Sequence, residues 1–126
     1  MKHLLTLLCL VILGGLSSFK AVADNITFTV SINSPYDKHG SVELVNQDTF
    51  ADNTYYFAEG SSGFQVTIPT GNYDVLVDVN NTANDGLFSV TFNGTTQSAD
   101  WPGEFFCSWD NVQITDAQNT WLSIAD

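Results

Sequence analysis

The chain has 126 residues, with 3 Lys and Arg against 14 Asp and Glu, a formal net charge of −11, and 44% hydrophobic residues. The three cations are all lysines, so the counterion release that drives nucleic-acid binding and the attraction that holds a protein to an anionic bilayer both lack their donors. These balances exclude a nucleic-acid partner and favour neutral or basic ones.

The first residues read as a targeting segment. Lys2 and His3 precede an apolar run from Leu4 to Leu16, and a small-residue stretch ends at Ala21-Val22-Ala23. That order is the secretory signal pattern, with cleavage expected after Ala23. The run is shorter than the roughly 20 residues a membrane span needs, so no transmembrane span is expected in the mature chain. Residues 1–23 are assigned to the signal peptide and 24–126 to a single domain, secreted or periplasmic. Lys2 and Lys20 leave with the signal, which sets Lys38 alone against fourteen carboxylates, a charge of −13. Cys107 also remains alone, so no intramolecular disulfide is available; a buried thiol is the first expectation and an intermolecular disulfide the alternative.

From Asn25 onward the pattern has period two. Ile26, Phe28, Val30 and Ile32 alternate with polar residues, and Val42-Leu44, Phe64-Val66-Ile68, Tyr73 to Val79, Phe88-Val90-Phe92 and Leu122-Ile124 repeat it. Turn formers punctuate the runs: Ser34-Pro35, Asp37 to Gly40, Glu59 to Gly63, Pro69-Thr70-Gly71-Asn72, Asn84-Asp85-Gly86, Asn93-Gly94 and Trp101-Pro102-Gly103. No window keeps helical spacing. An all-β, antiparallel two-sheet sandwich of about seven to nine strands is expected, Ig-like, transthyretin-like or jelly-roll in type. The turn from Pro69 to Gly71 is short enough to predict a hairpin.

Two stretches resemble known families. Gly40-Ser-Val-Glu-Leu-Val45, the strand Gly63 to Ile68 and the turn Pro69-Thr-Gly71-Asn-Tyr73 running on to Val79 resemble the carboxypeptidase regulatory-like domains of the transthyretin-like sandwich group. The likeness covers residues 40–79, and its residues are structural. Gly71-Asn-Tyr73, Phe88 to Gly94, Trp109-Asp-Asn-Val112 and Asn119-Thr-Trp-Leu-Ser-Ile124 look more like jelly-roll carbohydrate-binding modules across residues 71–124. That second likeness implies a sugar ligand.

Catalytic groups are scarce. His39 is the one histidine after the signal, it falls in a turn, and no G-x-S-x-G surrounds a serine, so no catalytic residue is assigned. One His and one Cys cannot complete a usual zinc site. Oxygen ligands are abundant from Asp78 to Gly86, where Asp78, Asn80, Asn84 and Asp85 could serve calcium; the stretch lacks EF-hand spacing, and an ordinary loop is the preferred reading. No cofactor other than calcium is suggested.

The tryptophans are the other signal. With Leu122 and Ile124 facing the core, Trp121 points outward; Trp101 lies in a loop beside Asp100 and Pro102. Alternation in Glu104-Phe-Phe-Cys-Ser-Trp109 turns out either Phe106 or the set Phe105, Cys107 and Trp109. Rings beside Asp and Asn side chains suit a sugar, whose C–H face stacks while its hydroxyls take the polar groups. The expected function is a non-catalytic exported binding module that takes carbohydrate through Trp101, Trp121, Trp109 and Asp100. The alternative is an acidic protein-interaction domain, of inhibitor or immunity type, that binds a basic protein partner.

Overall fold

The computed structural model describes residues 24–33, 38–82, 88–99 and 103–125. Nine strands follow one another: β1 (Asn25–Ile32), β2 (Lys38–Asn46), β3 (Asp52–Phe57), β4 (Gly63–Pro69), β5 (Gly71–Asn81), β6 (Phe88–Phe92), β7 (Thr95–Ala99), β8 (Gly103–Ile114) and β9 (Trp121–Ala125). They form a five-stranded sheet in the order β4-β1-β9-β6-β7 and a four-stranded sheet in the order β3-β2-β5-β8. Every pairing is antiparallel except that of β1 with β9. The all-β sandwich expected from the period-two runs is the architecture observed.

Alternation decides what lies between the sheets. Phe28, Val30, Val66, Ile68, Val90, Phe92, Leu122 and Ile124 point inward from one sheet and meet Val42, Leu44, Tyr73, Val75, Val77, Val79 and Ile114 from the other, all buried. Each sheet thereby removes its apolar face from water. In β8 the phase is now fixed: Cys107 and Trp109 are buried and Phe106 faces out.

Three local expectations are corrected. Pro69 to Gly71 does not make a hairpin, because β4 pairs with β1 in one sheet and β5 pairs with β2 and β8 in the other. The segment is a crossing between sheets, held by the buried Tyr73 hydroxyl, which donates to the Pro69 carbonyl oxygen at 2.7 Å. This is the tyrosine-corner arrangement of sandwich folds. Second, Lys38, His39 and Gly40 belong to β2 rather than to a turn. A Cβ on Gly40 would fall on the Asp78 carbonyl oxygen, so glycine serves here to let β2 and β5 approach. Third, β5 continues through Asn81, so Asp78 and Asn80 lie in a strand and not in a loop.

Two hairpins keep their strands in one sheet. Asn93 and Gly94, with φ of 47° and 87°, join β6 to β7 in the left-handed pair of conformations a two-residue turn requires. Between β2 and β3 the Asn46 side-chain oxygen accepts from the backbone N–H groups of Asp48 and Thr49 at 2.8 and 3.0 Å, which closes the loop on itself.

Candidate functional site

The sheet registers distribute the outward residues very unevenly. On the five-stranded sheet one transverse row runs Gln65–Thr29–Trp121, with Asn93 beyond it: Asn93 Oδ1 accepts from the Trp121 N–H at 2.8 Å and its own N–H donates back to the Trp121 carbonyl at 3.1 Å. The next row runs Gly63–Ser31–Ser123–Thr91–Thr96, in which the Thr91 and Thr96 hydroxyls bond to each other at 2.8 Å. Thr27 and Thr67 pair in the same way at 2.8 Å. None of the five strands contains an Asp, Glu, Lys, Arg or His. Threonine and serine account for this surface because β-branched and small hydroxyl residues suit a pleated, water-facing strand.

The four-stranded sheet is the opposite. Its strands carry Glu43, Asp52, Asp74, Asp78, Glu104 and Asp110. The single lysine here, Lys38, is fully buried with its ammonium 5.9 Å from the Phe88 ring centroid, so it lends no positive charge to the outer surface. His39 is outward and stands 3.5 Å from Glu59. Glu43 is hydrogen-bonded to Asp52, which together with partial burial and the neighbouring charge raises its pKa above the usual glutamate value.

The residues singled out from the sequence separate on this frame. Trp121 is outward, 42% exposed, on the neutral sheet. Trp109 is 9% exposed and packs against Phe92 with ring centroids 5.7 Å apart, so it belongs to the core rather than to a surface platform. Trp101 and Asp100, and the calcium candidates Asn84 and Asp85, lie outside the described residues. Asp78 and Asn80 face outward two residues apart on β5, beside Ser41 with Phe106 and beside His39 with Glu104 respectively. Among the described residues no group of three or more His, Cys, Asp and Glu side chains could hold a metal ion.

Of three further exposed aromatics, sequence reasoning passed over Tyr56 and Phe50 and left Phe106 as one of two outward alternatives in β8. Tyr56 on β3 is 83% exposed, Phe106 on β8 59%, and Phe50 at the β2–β3 loop 78% with a left-handed φ of 58°. Tyr56 and Phe106 lie in one row across the four-stranded sheet, Tyr56–Ser41–Asp78–Phe106. The signal for Tyr56 was available in Asp52-Asn-Thr-Tyr-Tyr-Phe57, which alternates once β3 is recognised as a strand.

No protein-family model matches the chain, and neither a curated protein nor a solved structure matches it. Nothing in the described residues indicates catalysis, and no helix among them is long and apolar enough to cross a membrane.

Proposed function

We propose that the domain is an exported, non-catalytic binding module that takes a neutral polysaccharide on the outer face of its five-stranded sheet. The observation that carries this reading is an outward Trp121 set in a surface made only of hydroxyl, amide and small side chains. An indole offers its face to the C–H side of a sugar ring. Flanking Gln65, Thr29, Ser31 and Ser123 can each donate and accept, as ring hydroxyls require. Rows cross the sheet at the strand spacing of about 4.8 Å, so the stretch from Gln65 to Asn93 spans roughly 14 Å, enough for more than one sugar unit. The charge restricts the ligand further: a polyuronate or sulfated glycan would approach against the field of a chain with fourteen carboxylates and would find no cation on this sheet, so the uncharged glycans fit best.

Export follows from the Lys2-to-Ala23 pattern, and this reading expects Asp24 as the mature N-terminus. Calcium has less support, because two of its four candidate ligands, Asp78 and Asn80, point out from a strand on a sheet that already lies apart from Trp121.

Native gel electrophoresis through embedded mannan, xylan and mixed-linkage glucan tests the proposal. At least one polymer should retard the protein, and Trp121→Ala should abolish the retardation while the variant still melts cooperatively as a folded domain. Equal retardation of the wild type and Trp121→Ala, or none in any polymer, would remove the reading.

A further inference from the structure

The second face carries an inference of its own, independent of the sugar reading. Tyr56 and Phe106 stand at the two edges of the four-stranded sheet in one transverse row, and three strand spacings place their strands about 14 Å apart. Between them the row drops to Ser41 and Asp78, and the adjoining row is Thr54–Glu43–Leu76–Ser108. Beyond it lie Asp52, Val45 and Asp74, and on the other side His39, Asn80 and Glu104. The result is a shallow trough in this one row, flanked by two exposed aromatic rings, with carboxylates in it and in the rows on either side.

We propose that this trough is a docking surface for a basic protein, which lays a lysine- and arginine-bearing segment between Tyr56 and Phe106. Charge complementarity selects that occupant. Among the described residues His39 is the one outward group on this sheet that can become positive, and it already stands 3.5 Å from Glu59. A second copy of the chain would bring the same carboxylates against each other, so self-association on this face is opposed by its own charge. The aromatic walls argue for a polypeptide over a bare cation. A guanidinium stacks on a ring and forks to a carboxylate at once, and exposed aromatic anchors are what protein interfaces concentrate their binding energy on. Glu43 and Asp52 hold their carboxyls close enough to hydrogen-bond, a crowding that an arriving cation relieves.

Fluorescence anisotropy of a fluorescein-labelled peptide rich in arginine and lysine, titrated with the protein at low salt, reads the interaction. Binding should weaken steeply with added sodium chloride. Tyr56→Ala and Phe106→Ala, which change no charge, should each weaken it by about fivefold or more, within the range of truncated interface anchors. Asp78→Asn should cost more than Asp116→Asn, which removes the same charge from a loop outside the face. Trp121→Ala should leave it unchanged, so this test and the sugar test fail separately. Melting curves confirm that each surface variant is folded. The proposal is overturned if the two aromatic variants bind as the wild type does and the two aspartate variants lose equally, since that is diffuse attraction without a site. Chitosan oligomers that bind more tightly than the peptide, with the same variant pattern, would also overturn it by assigning the trough to a cationic sugar.

Discussion

Two buried side chains on β5 and β8 show how single residues tie the sandwich together. Tyr73 is fully buried, and its hydroxyl holds the Pro69 carbonyl at the crossing between sheets. Tyr73→Phe keeps the ring and strips the donor, leaving that carbonyl short of a partner, so equilibrium unfolding should show a loss of about 1–3 kcal/mol. Cys107 is buried, and burial pushes its thiol pKa up from 9.0 to about 12. Well below pH 9.0 the thiol is neutral in both states. Between there and about 12 the unfolded chain releases the proton while the folded chain keeps it, so stability should fall as pH rises through that window. Urea titrations across the window should show a negative slope that Cys107→Ala makes shallower. A thiol so placed should also resist alkylation until the protein unfolds, and among the described residues it leaves no surface thiol for pairing two chains.

At the scale of strands, the phase of β1 carries a sharp contrast. Phe28 is buried and the adjacent Thr29 is exposed. Phe28→Ala should therefore cost about 3–5 kcal/mol in chemical denaturation, while Thr29→Ala should stay within about 0.5 kcal/mol. Strands of this kind were legible because their inward residues are large and apolar at every second position, as in Val75, Val77 and Val79 of β5. β7 was not, since Thr95-Thr-Gln-Ser-Ala99 buries only Ala99 and reads as a polar loop. The hairpin expected at Pro69 failed for a different reason: a short turn fixes neither the direction nor the sheet of the strand that follows, and β5 finds its partners in β2 and β8, with the Tyr73 hydroxyl bond bracing the crossing. Likewise the Trp121 orientation followed from its neighbours Leu122 and Ile124, whereas the meeting of Tyr56 with Phe106 depends on the order β3-β2-β5-β8, which no local pattern encodes.

For the molecule as a whole, the sandwich divides its surface by charge, a neutral hydroxyl face on one sheet and an anionic aromatic face on the other. Fourteen carboxylates against so few cations repel one another most when the chain is compact, so folding works against this repulsion. Raising sodium chloride should increase the melting temperature, most steeply as the Debye length shrinks from about 30 Å at 0.01 M to about 10 Å at 0.1 M. Calcium and magnesium at matched ionic strength should give the same small shift if screening alone acts; a larger rise with calcium would mark a specific site. The division itself is tested most directly by amide chemical-shift mapping with both ligands on one sample: the neutral polysaccharide fragment that retards the protein, then the basic peptide. The account predicts that the sugar moves Thr29, Ser31, Trp121 and Ser123, that the peptide moves Ser41, Tyr56, Asp78 and Phe106, and that neither displaces the other. Both ligands shifting one common set of residues, or competing for it, would contradict it.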